Sequence, residues 1–244
     1  MALPKLKTVV NRERFKRNAA VLFFHGEEGS ASNLKERLKE MLLRNFDFDH
    51  IRVVFPQAPE IISKVDRDER RPVWFNRKDY SPAFPEQIDS IERSCSLVRQ
   101  LINDLVTSGI RKDRIVLGGC DMGAQIAMHV AYRYLPDVAG VFGLSTHLGP
   151  LSHVYKVLLH KRVTQSDFEW PPLLLCHGHD DKRVNLKWAA HTAEYFMDLN
   201  VETELQVYYG QNHELSVHQV NHLKEWIIKT LPDKNTIIGP DLRC

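Results

Sequence analysis

Short apolar, β-branched or aromatic runs recur at residues 19–25, 51–55, 114–118, 138–145, 172–177 and 202–209, and the segments between them have a helical period. The order is therefore strand, helix, strand, repeated. Ile88, Ile91, Cys95, Val98, Ile102 and Leu105 step by three and four residues, which lays one apolar stripe along a helix from near Pro85 to Gly109. Residues 33–46, 123–134, 186–199 and 214–231 read as further helices. Strands of nearly continuous hydrophobicity between helices imply a parallel sheet buried on both faces, so the fold expected is a single-domain, doubly wound α/β sheet without a large cap.

Residues 56–84 show no periodicity and carry Pro59, Pro72, Pro82 and the charged run Asp66-Arg-Asp-Glu-Arg-Arg71, so they read as one long loop. A loop of that size tends to wall a pocket. No linker or shift of composition divides the chain, and the organisation expected is a basic segment at 1–17, one domain at 18–231 and a polar tail at 232–244. Of the 244 residues 33 are Lys or Arg and 31 Asp or Glu, a formal charge of +2 that offers no field to gather nucleic acid. The four cysteines, at 95, 120, 176 and 244, form no CxxC pair, as expected of a chain in a reducing compartment. No apolar stretch is long enough to span a membrane, so a cytoplasmic location is expected. The basic residues before Arg17 lack the serines of a mitochondrial presequence.

In open α/β sheets ligands sit beyond the carboxyl ends of the strands. Four clusters lie there: His25-Gly-Glu-Glu-Gly-Ser30, Gly118-Gly-Cys-Asp-Met-Gly123, His177-Gly-His-Asp-Asp181 and Asn212-His-Glu-Leu-Ser216. In the second a strand enters Gly119-Cys-Asp-Met-Gly123 and a helix leaves it, the context of a nucleophile elbow with Asp121 where serine is usual. A tight turn with Asp121 capping the helix explains the same residues. Chain order favours the elbow, because an acid after a later strand and then a histidine follow as Asp181 and His213.

The chain resembles the acyl-protein thioesterase and lysophospholipase family, and within it the lysophospholipase-like branch, over nearly its whole length. The resemblance lies in Leu22-Phe-Phe-His-Gly26, Phe55-Pro-Gln-Ala-Pro59, Val73-Trp-Phe-Asn76, Ser108-Gly-Ile-Arg-Lys-Asp-Arg-Ile115, Ala127-Met-His-Val-Ala-Tyr132, Asp137-Val-Ala-Gly-Val-Phe142, Cys176-His-Gly178 with Asp181 and Val184, and Asn212-His-Glu-Leu-Ser216. It implies an α/β-hydrolase that cleaves thioesters, such as palmitoyl-cysteine on proteins, or small esters, without metal or cofactor. It places the nucleophile at Asp121, the orienting acid at Asp181, the general base at His213, and the oxyanion donors at the backbone N–H groups of Glu27 and Met122. His25 and Gly26 would hold the oxyanion loop. The aromatics Trp74, Phe75 and Phe84 on the long loop read equally as lining of an acyl groove or as packing of that loop onto the sheet. Three departures stand out: Asp121 for serine, Glu28-Gly29 for the family's Gly-Asp, and Asn76 for its aspartate.

The first departure removes the chemistry, since a carboxylate has no hydroxyl proton to pass to a neutral imidazole. Asp121 also brings negative charge to where oxyanion charge develops, and His213 is expected between two carboxylates, drawn towards imidazolium. Three readings follow: a (thio)esterase with serine-type catalysis weakened or lost, a silent binder of acylated proteins or small acyl ligands, or a hydrolase using Asp121 on saturated carbon. The last lacks the tryptophan usual after such an aspartate, since Met122 stands there. Cys120 is expected to point away from the pocket, Trp188 and Trp226 to fill core, and His50, His129, His147, His153, His160, His191, His218 and His222 to lie on the surface.

Overall fold

The computed structural model describes residues 5–11, 17–27, 29–63, 69–79 and 81–233. Seven strands form the central sheet: β1 (Thr8–Val10), β2 (Ala19–Phe24), β3 (Ile51–Pro56), β6 (Ile115–Cys120), β7 (Gly140–Leu144), β8 (Leu173–Gly178) and β9 (Thr203–Tyr208). Their order is β1-β3-β2-β6-β7-β8-β9, with β1 antiparallel to β3 and every other pairing parallel. β2, β7 and β8 are buried along their whole length, as a sheet covered on both faces requires.

One face packs on α2 (Ile88–Thr107), α3 (Met122–Tyr134), α4 (His153–Thr164) and α5 (Leu186–Asp198), through Ile91, Val98, Ile126, Val130, Val154 and Phe196. The other packs on α1 (Ala31–Leu42) and α6 (Val217–Thr230), through Leu34, Leu38, Val220, Leu223 and Ile227. Side chains at the helix starts hold the entry angles: Ser30, Ser152, Asn185 and Ser216 each accept a backbone N–H from the first turn. The doubly wound α/β sheet is thus the one expected.

Four differences from the sequence reading have local causes. α4 carries Val154, Tyr155 and Leu158 inward but also exposes Leu159 and Val163, so no apolar stripe announces it. The long loop holds a hairpin, β4 (Glu60–Ser63) with β5 (Glu69–Pro72), in which the two isoleucines Ile61 and Ile62 are adjacent and β5 is charged, so no strand alternation marks it. β1 lies inside the expected N-terminal segment, while residues 12–16 and most of the expected tail, 234–244, lie outside the described residues. His129 and His147 are buried rather than on the surface, and Trp188 and Trp226 are only half-buried.

Candidate active site

Asp121 sits between β6 and α3 with φ 46° and ψ −119°, a conformation an L-residue adopts only under constraint. The surroundings impose it. A Cβ on Gly119 would stand 2.4 Å from the Phe24 carbonyl oxygen, and one on Gly123 would stand 2.4 Å from that of His25, so only glycine lets the turn pack this closely on β2. The Asp121 N–H donates to the Leu144 carbonyl at 2.9 Å, and the Thr146 hydroxyl donates to the Asp121 carbonyl at 2.9 Å. The carboxylate makes no helix-capping bond. The simpler reading, an aspartate retained as a cap, therefore does not describe this turn.

Asp181 follows β8, with Oδ1 accepting the backbone N–H groups of Arg183 (2.9 Å) and Val184 (2.8 Å) and Oδ2 accepting from His213 Nδ1 at 2.8 Å. Burial would raise its pKa, but the His213 bond and these backbone donors outweigh it and hold the carboxyl below its ordinary value. His177 lies on the far side, its Nε2 donating to the Val184 carbonyl at 2.8 Å and standing 3.4 Å from Asp181 Oδ2. Asp121 and His213 line one cavity, yet no hydrogen bond joins them among the described residues. His213 is thus bonded to one carboxylate, not to the two the sequence suggests.

On the oxyanion loop, His25 is a structural residue. Its Nδ1 donates to the Gly26 carbonyl at 2.7 Å, its Nε2 accepts the Ala58 N–H at 3.0 Å, and burial lowers its pKa, which keeps this neutral tautomer. Gly26 brings the loop against Asp121, since a Cβ there would lie 3.5 Å from the Asp121 Cβ. The backbone N–H groups of Glu27 and Met122 bond to no acceptor among the described residues, as donors kept for an oxyanion would. The Glu27 side chain turns into the protein, where its Oε2 accepts from Arg77 and, at 2.8 Å, from Arg183. Its charge is therefore met by two guanidinium groups. Glu28 lies outside the described residues.

Trp74, which reads either as groove lining or as packing, is wholly buried, and its indole Nε1 donates to the His25 carbonyl at 2.9 Å. The bulk and hydrogen bond of Trp74 hold the loop from beneath. Trp74→Phe should cost about 1–2 kcal/mol by leaving that buried carbonyl unmet. Thermal unfolding would show it as a fall in Tm of a few degrees, and an unchanged Tm would deny the bond that role. Phe75 lines a separate cavity of about 60 Å³ with Phe84, Gln125 and His147. Its own polar lining departs from an acyl groove of aromatics.

The cavity at Asp121 measures about 330 Å³ and is walled by His25, Gly26, Glu27, Leu34, Arg37, Cys120, Asp121, Leu144, Ser145, Arg183, His213 and Leu215. Cys120 thus touches it after all, although burial pushes its thiol up to about 12 and keeps it from being a thiolate. The profile of the phospholipase/carboxylesterase family matches residues 6–231. The protein belongs to that family. It is 37% identical over 215 residues to mouse lysophospholipase-like protein 1, covering 88% of each chain. To acyl-protein thioesterase 1 homolog 2 of Dictyostelium discoideum it is 26% identical over 215 residues, covering 88% of this chain and 93% of that one. The solved maize acyl-protein thioesterase 2 superimposes with a TM-score of 0.73 at 20% identity, covering 92% of this chain and 99% of the other. By descent the chain is therefore an α/β-hydrolase of the phospholipase/carboxylesterase type.

Three features of this family member escape a reading of its sequence. The Glu27, Arg77 and Arg183 cluster joins three loops far apart in sequence, so no spacing marks it. Ser145, at φ 49° after β7, looks like any strand-end serine. His147 packs on Trp188, and burial lowers its pKa to about 4, which no local pattern announces.

Proposed function

We propose that the chain keeps the ligand cavity and the Asp181–His213 relay of a (thio)esterase but does not hydrolyse by the serine route, and that it works by holding a small acyl compound or an acylated protein. The observation that carries this is the side chain at the elbow: Asp121 occupies the strained position between β6 and α3 and offers a carboxylate instead of a hydroxyl. A nucleophile of the serine type needs a proton that His213 can remove, and none is there. The relatives named as acyl-protein thioesterases suggest the acyl class of ligand.

A fluorophosphonate probe tests the loss of turnover, because it labels only an activated serine. The native protein should remain unlabelled while Asp121→Ser takes up the probe. Labelling of the native chain at another residue, Ser30 or Ser145, would place the nucleophile elsewhere and overturn the reading.

A further inference from the structure

β9 ends the central sheet on one side, and its outer edge is open. It pairs with β8 in parallel, and the carbonyls of Glu202 and Tyr208 accept the N–H groups of Leu173 and His179, each at 2.8 Å. Ladder bonds alternate along a parallel strand, so Glu204 and Gln206 face β8 as well, while Thr203, Leu205 and Val207 turn their N–H and C=O outward. No strand pairs that side among the described residues, and the Val207 carbonyl has the Gln206 side-chain amide at 3.5 Å. A sheet edge is normally shortened, charged or interrupted by proline, because its unpaired groups template further pairing. The opposite edge, β1, is three residues long. β9 has six residues with neither proline nor lysine, and its one charged side chain, Glu204, is paired with His222 of α6 at 3.2 Å.

An open groove of about 550 Å³ begins where β9 ends, lined by Val207, Tyr209, Glu214, Leu215 and His218. Leu215 also walls the cavity at Asp121, so the groove leads from the open edge to the ligand cavity. Tyr209 stands 82% exposed in it, its ring stacked on His179 with centroids 4.8 Å apart. We infer that β9 is a docking edge for an extended peptide, the segment of an acylated protein that flanks the acyl group held at Asp121. An extended chain offers alternating N–H and C=O groups at the spacing of Thr203, Leu205 and Val207, which a small acyl compound does not. Main-chain pairing is indifferent to side chains, so the edge suits acylated proteins of unrelated sequence. The groove and Tyr209 receive the residues between the paired segment and the acylated one. This inference rests on the proposed function and deepens it, by choosing the acylated protein over the small compound.

The test compares S-hexanoyl-N-acetylcysteamine with a capped, uncharged peptide that has S-hexanoyl-cysteine at its centre and about six residues on either side, enough to span β9. Each is titrated into the native protein and followed by amide NMR. The peptide should bind at least about 10-fold tighter through the added main-chain hydrogen bonds, and should shift the β9 amides as well as those around the cavity. Methylating every second peptide nitrogen should abolish that gain in one phase and spare it in the other, since one set of N–H groups faces β9. Val207→Pro removes an outward N–H and no ladder bond, so it should lose most of the gain and leave the small thioester unchanged. Equal binding of the two thioesters, or a gain kept in both methylated peptides or lost in both, would overturn the proposal. The methylated peptides decide it even if Val207→Pro does not fold. A native dimer that Val207→Pro splits would give the edge to a second copy and overturn it as well. If the small thioester does not bind while the unacylated peptide still shifts the β9 amides, the cavity reading falls and the docking edge stands.

Discussion

Asp121→Ser is expected to create an esterase. The substitution supplies a hydroxyl at a backbone position already held in the elbow conformation by Gly119, Gly123 and the Leu144 and Thr146 hydrogen bonds. The relay behind it is in place, with His213 Nδ1 on Asp181 at 2.8 Å and Asp181 fixed by two backbone donors. The change also removes a negative charge from beside the unbonded N–H groups of Glu27 and Met122, and one lost oxyanion interaction alone is worth about 10²–10³ in rate. Hydrolysis of p-nitrophenyl acetate should therefore rise at least about 100-fold over the native protein, since nucleophile, base and oxyanion donors act as a unit. A folded variant that hydrolyses nothing would show that the relay and donors are not arranged for turnover. A native protein that hydrolyses esters and loses that activity in Asp121→Ser would instead make the carboxylate a working nucleophile, against the proposed function.

The residues of this site were legible in the sequence to unequal degrees, for physical reasons. Asp121 and Asp181 each follow a strand of continuous apolar residues and His213 follows the alternating strand β9, and the topology of parallel sheets collects strand ends at one edge. Burial and hydrogen bonding were not legible in the same way. Trp74 reads equally as groove lining or as core, and only its bond to the His25 carbonyl separates the two. The cap and elbow readings of Asp121 differ by the direction of one side chain, which the string of residues does not carry. α4 escaped because apolar Leu159 and Val163 lie on its outer side and blur the period. His129 escaped because its partner Glu86 is 43 residues away.

That last pair sets the second large effect, on stability rather than chemistry. Glu86 precedes α2 and lies under α3 and α4: Oε1 meets His129 Nε2 at 3.1 Å, while Oε2 accepts the His153 backbone N–H at 3.0 Å and meets its Nδ1 at 3.1 Å. Burial on its own would raise the pKa of this carboxyl, but the hydrogen bond and charge of His129, then the His153 N–H and Ser152, bring it down to about 2. Its position at the N-terminus of α4 favours the charged form as well. The folded value lies below the ordinary 4.5, so unfolding takes up a proton and the contribution is present in full above about 4.5. It is lost as the pH falls from there towards about 2. A carboxyl held that low is worth about 3 kcal/mol at neutral pH. Glu86→Gln keeps the shape and removes the charge, so denaturant unfolding at pH 7 should find it about 3 kcal/mol less stable than the native protein. The gap should narrow steadily between pH 4.5 and pH 3, as the native carboxyl is itself neutralised on unfolding at the lower end. A gap that stays constant from pH 7 to pH 3, or widens as the pH falls, would mean that Glu86 holds the two helices by shape and not by charge.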